Sequence, residues 1–227
     1  MKGNGLQDIS PVNRPLAKAG KYYTRLAPWY DLLASSEKKF VKKGLDLLAP
    51  QPDEKILEIG FGTGFAQSKI IPALHEGVSI AVDISPGMAR QADKKLRNAG
   101  LGDRSKLVCS DSLPLPFRSD IYDAAFSSFT LELFDTPQIP ILLNECRRVL
   151  KPGGRLVIVS LSKDQPLGAM GQLYEAFHNL FPTLADCRPI PVRRLLESNG
   201  FQVNNFTITK MWGLMVSLAE ANPRDTV

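Results

Sequence analysis

The chain predicts a doubly wound α/β fold, a seven-stranded sheet that is mostly parallel with one antiparallel edge strand. Three observations carry this. The apolar run Ile56-Leu57-Glu58-Ile59 opens into Gly60-Phe61-Gly62-Thr63-Gly64 and then into a helical pattern; a buried strand, a glycine turn and a helix make a nucleotide-binding crevice at the end of a parallel strand. Strand-like and helix-like segments then alternate five times between residues 55 and 160, as βα units of a parallel sheet do. Finally, 201–209 and 212–219 read as two strands in succession. Their separator is too short for a crossover helix, so they pair antiparallel.

Taken in order, residues 1–20 lack periodicity, and the first dozen are expected to be disordered. Residues 21–33 are rich in aromatics, and a helix follows over about 36–48, closed by Ala49-Pro50. The first strand is 55–60. A helix over about 64–75 is bent or ended by Pro72. The second strand, 78–83, leads into Ser85-Pro86, a good N-cap and first helical position. The helix it opens places Ala89, Ala92, Leu96 and Ala99 on one face and stops at Gly100. The third and fourth strands are about 106–110 and 122–127. A helix over 137–150 buries Ile139, Leu142, Leu143, Cys146 and Val149, with Gly153-Gly154 as its stop. The fifth strand, 155–160, is nearly all apolar, as a central parallel strand should be. Residues 162–189 read as an insertion with a helix over 171–180, and Pro191 opens a short helix ending at Asn199-Gly200.

At 227 residues the chain is expected to be one domain with a full core. Its parts are a helical lid (1–50), a ligand-binding core (55–161), a helical insertion (162–190) and a last helix with the antiparallel pair (191–220). The net charge of +5 is mild and lies partly on lysine faces such as Lys38-Lys39 and Lys42-Lys43. No nucleic-acid partner is indicated; peripheral contact with an anionic membrane is permitted. Cys109, Cys146 and Cys187 are far apart and suggest neither disulfides nor metal spacing, which fits a reducing cytoplasm. The N-terminus lacks a signal-peptide core, and no apolar run approaches the ~20 residues of a membrane span. The oligomeric state is not legible.

The glycine run does not fit G-x-G-x-x-G in either register, because the last position falls on Phe65 or Gln67. It is not a P-loop either, since no Lys-Ser/Thr follows. Glu58 beside the turn suits a cationic ligand. Asp83 ends the second strand about 20 residues on, placed to accept hydrogen bonds from both hydroxyls of a ribose.

The run Glu58-x-Gly60-x-Gly62-x-Gly64 resembles motif I of the class I S-adenosylmethionine-dependent methyltransferases, a Rossmann-like family. Four further stretches match in order: Asp83-Ile84; Asp111-Ser112-Leu113-Pro114-Leu115-Pro116-Phe117, with one residue more than the family's D-a-x-x-L-P-F; Ile121-Tyr122-Asp123-Ala124; and Leu150-Lys-Pro-Gly-Gly-Arg-Leu156. The Tyr-x-x-x-Ala-x-x-Tyr30-Asp31 pattern and Ser85-Pro-Gly-Met88 look most like the ubiquinone/menaquinone biosynthesis group. The resemblance implies S-adenosylmethionine as cofactor. It implies contacts from Glu58, Gly60, Phe61, Gly62, Thr63, Gly64 and Met88, ribose bonding by Asp83, and Ile84 against the adenine. Asp111 would accept from the adenine amine, the Ser112 amide would reach a ring nitrogen, and the main-chain carbonyl of Ser127 would receive the ammonium. Asp123 would tie down a neighbouring loop, and no catalytic role transfers to Glu132.

The reaction so implied is transfer of the sulfonium methyl to a small-molecule or lipid-like acceptor, with a quinone-pathway C-methylation first. Phospholipid head-group N-methylation, S- or O-methylation, a non-catalytic scaffold and a nicotinamide oxidoreductase stay open. In-line transfer asks mainly for alignment and exclusion of water, and no base is assigned. His178 is either a capping base or an exposed helix residue; His75 is structural. Arg188 either holds an anionic substrate or pairs with Asp186. Tyr22, Tyr23, Trp29 and Tyr30 either form a lid, with Tyr22 or Arg25 on the ligand carboxylate, or pack a helix on the sheet.

Overall fold

The computed structural model describes residues Ile9, 16–110, 113–166, Gly171 and 187–224. Seven strands form one sheet in the order β3-β2-β1-β4-β5-β7-β6. They are β1 (Lys55–Ile59), β2 (Val78–Asp83), β3 (Lys106–Cys109), β4 (Tyr122–Ser128), β5 (Leu150–Leu161), β6 (Phe201–Met211) and β7 (Leu214–Pro223). The strands β3, β2, β1, β4 and β5 run parallel, and β7 runs antiparallel to both β5 and β6. The antiparallel strand therefore lies one place in from the edge. The chain order reverses between β1 and β4, so their carboxyl ends flank the topological switch point where ligands bind.

The helices are α1 (Leu16–Leu33), α2 (Lys38–Leu48), α3 (Gln67–Ala73), α4 (Pro86–Asn98), α5 (Gln138–Val149) and α6 (Val192–Ser198). On one face, α5 and α6 bury Leu142, Leu143, Leu195 and Leu196 against Leu57, Ile59, Ala125 and Ile158. On the other, α2 and α3 bury Phe40, Leu48 and Ile70 against Ile56, Phe126 and Val157, while Ala92 of α4 meets Ala81. Each Leu, Ile, Val or Phe side chain so removed from water contributes ~1.5–3 kcal/mol. The five residues expected to be buried on α5 are all buried.

Several boundaries differ from expectation. The N-terminal helix reaches back to Leu16 and packs on α4; a Cβ on Gly87 would lie 2.5 Å from Thr24 Cα. Ala99 is exposed, because α4 has ended and its amide caps the last turn. Gly153-Gly154 does not precede β5 but lies within it. Leu150 already pairs with Tyr122, and the register slips before Ala124 meets Arg155, so the glycines absorb a bulge. The last two strands run further than expected and join at Trp212-Gly213, both at positive φ (52° and 87°), the conformation of a two-residue hairpin turn. Among the described residues, no helix is long and apolar enough to cross a membrane. The helix expected over 171–180 and the segment 1–8 lie outside the described residues.

Candidate active site

The site is assembled where β1, β2 and β4 end. Glu58 sits near the end of β1, only 2 % exposed, and accepts a hydrogen bond of 2.7 Å from Gln67 Nε2. Burial pushes its carboxyl up to about 8; the Gln67 bond works against the rise and the nearby Asp83 charge adds to it. Gln67 opens α3, and its Oε1 is buried without a hydrogen-bond partner.

The glycine turn connects these groups. Gly60, at φ 78°, is pressed against Thr130, where any Cβ would collide. Gly64, at φ 79°, lets α4 approach, with Ala92 Cβ 3.0 Å from where a Cβ would stand. These two glycines serve packing. Gly62, at φ 49°, is the one whose missing side chain faces open space, with the Tyr30 ring 3.8 Å away. Its amide donates to Asp83 Oδ2 at 2.9 Å, while the Ser85 amide donates to Asp83 Oδ1 at 2.8 Å. Burial pushes Asp83 up to about 6 despite the opposing backbone bonds from Ser85, Gly62 and Ile84.

A cavity of about 60 Å³ lies between the turn and the N-terminal helices, lined among others by Tyr30, Glu37, Glu58, Gly62 and Ser128. Ligand pockets for molecules of nucleoside size run to ~300 Å³ or more, so such a ligand would extend beyond this cavity, past Tyr30 of α1. Desolvation and the surrounding charges of Glu37, Cys187, Asp83 and Glu132 hold the Tyr30 hydroxyl well above its usual pKa.

The other candidates fall as follows. Ser127 pairs in register with Ile59 and Ile158, and its hydroxyl is buried without a partner. Ile84 lies under α1, with its carbonyl 3.0 Å from a Cβ built on Gly20. Phe61 packs with Ala81 and Ala92, and Thr63 Oγ1 accepts from Lys95 Nζ at 3.0 Å. The Met88 side chain is buried, and its amide bonds Ser85 Oγ. Phe61 and Thr63 also line the cavity at the glycine turn. Asp123 fastens β1 to β5, accepting from the Lys55 amide at 2.8 Å and pairing with Lys151 at 2.6 Å. Asp111, Ser112, His178 and Asp186 lie outside the described residues.

Arg188 is engaged with the fold. It is fully buried and donates to the carbonyls of Glu132 (3.2 Å) and Phe134 (2.6 Å) and to Thr136 Oγ1 (2.9 Å). It fastens residues 187–190 to the loop after β4. Tyr22 stacks edge-on against Tyr23 at 5.4 Å, Arg25 is exposed, and His75 is exposed before β2. From sequence Glu37 goes unmarked, and Glu132 is named only as a position to which no catalytic role transfers. Glu132 carried a signal, a lone carboxylate within the apolar Leu131-Glu132-Leu133-Phe134, the same anomaly that marked Glu58. Glu37, among polar neighbours, carried none.

A family profile described as a methyltransferase domain matches residues 56–154. The chain is 30% identical over 141 residues to a ubiquinone/menaquinone biosynthesis C-methyltransferase, UbiE, of Ruegeria sp. (strain TM1040), covering 62% of this chain and 55% of that protein. It is 30% identical over 155 residues to a malonyl-[acyl-carrier protein] O-methyltransferase of Herminiimonas arsenicoxydans, covering 68% and 54%. The chain thus spans little more than half the length of these relatives. Its fold is that of the crystal structure of the [4+2]-cyclase SpnF, with TM-score 0.75 at 15% identity, covering 96% of this chain and all of that one. Residues 56–154 thus match a methyltransferase domain, and in its motifs and sheet order the chain is similar to the class I S-adenosylmethionine-dependent methyltransferases.

Proposed function

We propose that this chain transfers a methyl group from S-adenosylmethionine to a small-molecule acceptor. The observation that carries the reading is the joining of Glu58, Gly62 and Asp83 at the switch point. Both Asp83 oxygens accept backbone N–H groups, and a carboxylate has lone-pair sites beyond these for a ribose hydroxyl. The buried oxygens Gln67 Oε1 and Ser127 Oγ have no partner, and buried polar atoms in native folds ordinarily have one. A donor-rich, positively charged ligand suits this set. Glu58 and the Ser127 carbonyl would take the cationic end, Asp83 the ribose, and Asp111 with Ser112 the adenine. When bound, the donor supplies an electrophilic methyl on a sulfonium. The chain's own residues orient it and exclude water, with α1 as the lid and residues 162–190 as the cap on the acceptor side.

For the acceptor, relatives named as ubiquinone/menaquinone biosynthesis C-methyltransferases support an apolar or aromatic molecule, and one named as a malonyl-[acyl-carrier protein] O-methyltransferase supports an acyl carboxylate as the second reading. The three cysteines, none in a disulfide, support a cytoplasmic site. The test is incubation with methyl-labelled S-adenosylmethionine and a metabolite and lipid extract, with products identified by mass. A labelled small molecule is expected; label confined to breakdown of the donor would refute transfer.

A further inference from the structure

Two carboxylates at this site belong to no motif. Glu37 immediately precedes α2, yet makes no side-chain cap to it and instead lines the cavity. Glu132, in the turn after β4, is fully buried. Its Oε1 accepts from the Leu161 amide at 3.2 Å, the Ser160 hydroxyl also stabilises the carboxylate, and its Oε2 is buried without a geometric hydrogen-bond partner. The groups around them come from every neighbouring element: Tyr30 of α1, Lys38 of α2, Glu58 of β1, Asp83 of β2, and Cys187 and Arg188 beyond β5. Four carboxylates thus face two cations among these described residues. Independently of charge, Gln67 Oε1 and Glu132 Oε2 are both acceptor atoms lacking a donor. What the pocket is short of is positive charge with N–H or O–H groups.

We propose that Glu37 and Glu132, acting with Glu58, exchange a bound proton for the positive charge of the ligand, so that the site holds the charged sulfonium donor more tightly than the neutral thioether left after transfer. This rests on the donor-binding reading above. The exchange balances simply: the cluster gives a proton to solvent as the sulfonium enters, and recovers one when the methyl, and with it the sulfonium charge, has gone. Burial and the Glu132 charge push Glu37 up to about 8, and burial pushes Glu132 up to about 7, so protons are available for exchange near neutrality. A like-charged cluster discriminating by charge also favours product release, because S-adenosylhomocysteine keeps its ammonium but not its sulfonium.

The test needs no acceptor. Calorimetric titration with S-adenosylmethionine and with S-adenosylhomocysteine, in two buffers of different ionisation enthalpy, reads proton release directly. More protons should leave with the first ligand than with the second, and the affinity ratio between them should rise from pH 6 to 8.5. Glu37→Gln should cut that ratio about tenfold, the equivalent of one pKa unit. Glu132→Gln gives the same reading should the first variant lower the unfolding temperature, and the wild-type pH dependence stands without either. Equal proton release for both ligands, or a ratio independent of pH, overturns the proposal while leaving donor binding intact. Failure of both ligands to bind refutes the donor-binding reading instead.

Discussion

The Gly62 amide donates to Asp83 Oδ2 at 2.9 Å, so the carboxylate that ends β2 also fixes the glycine turn after β1. Ligand geometry and turn geometry are therefore one structure. Asp83→Ala should weaken S-adenosylmethionine binding and also lower stability. Hydrogen bonds to a charged group are worth ~1.5–3 kcal/mol each, and this one accepts from the backbone at both oxygens. Asp83→Asn, which keeps one acceptor oxygen, should fall between wild type and Ala in chemical denaturation and in titration with the ligand. Equal stability of all three proteins would separate the turn from the carboxylate.

Arg188→Ala should cost about 3 kcal/mol or more. It leaves the buried carbonyls of Glu132 and Phe134 without this donor and opens space in the core. Arg188→Lys should recover little, since a single ammonium cannot reach three acceptors in a planar fork. Denaturant midpoints check this. A fully stable Arg188→Ala protein that had lost only acceptor affinity would return Arg188 to the substrate site.

Gly87→Ala should loosen α1. The added methyl would stand 2.5 Å from Thr24 Cα and 2.8 Å from its carbonyl, contacts that force the helix away from α4. Amide exchange over residues 16–33 should quicken in the variant, and donor association should speed up, because α1 closes a cavity of only about 60 Å³. Unchanged exchange in that segment would mean that the helix is not the barrier.

Stability of the free protein should fall as pH rises from about 5 to about 8. Glu37 and Glu58 are pushed up to about 8, Glu132 to about 7 and Asp83 to about 6, in each case chiefly by burial. Their unfolded values are near 4, so between those limits the folded chain binds more protons than the unfolded one. Stability from these groups is full below about pH 4 and lost as pH passes the folded values. Asp123 and Glu145, held low by Lys151 and Arg148, act oppositely and lose their contribution as pH falls. The unfolding temperature should drop by at least ~2–4 °C, the equivalent of about 1 kcal/mol in a chain of this size, and S-adenosylmethionine should restore more of it at pH 8 than at pH 6. A flat profile would show that the carboxylates are not burdened by burial.

Local chemistry made much of this fold legible. Ser85-Pro86 announced α4 because a hydroxyl cap and a fixed φ act within one turn, and the Ser85 oxygen accepts the Met88 amide as expected. The period of α5 named its buried face because one side of that helix meets the sheet throughout. The entry to β5 misled because Gly-Gly ordinarily ends an element; only pairing with Tyr122, across the sheet, makes it a bulge. Arg188 misled for the same reason. Beside Asp186 it reads as a substrate anchor or a local ion pair, whereas its bonds go to carbonyls more than fifty residues away. Glu37 was invisible because the carboxylates that crowd it, Glu58 at the end of β1 and Glu132 after β4, come beside it only in the fold.

The most direct test of the account is a titration of the purified chain with S-adenosylmethionine, set beside NAD and beside the Asp83→Ala variant. Saturable one-to-one binding of S-adenosylmethionine, weakened by the substitution, with no heat from NAD, is the predicted result. Binding of NAD instead, or S-adenosylmethionine affinity indifferent to Asp83, would contradict it.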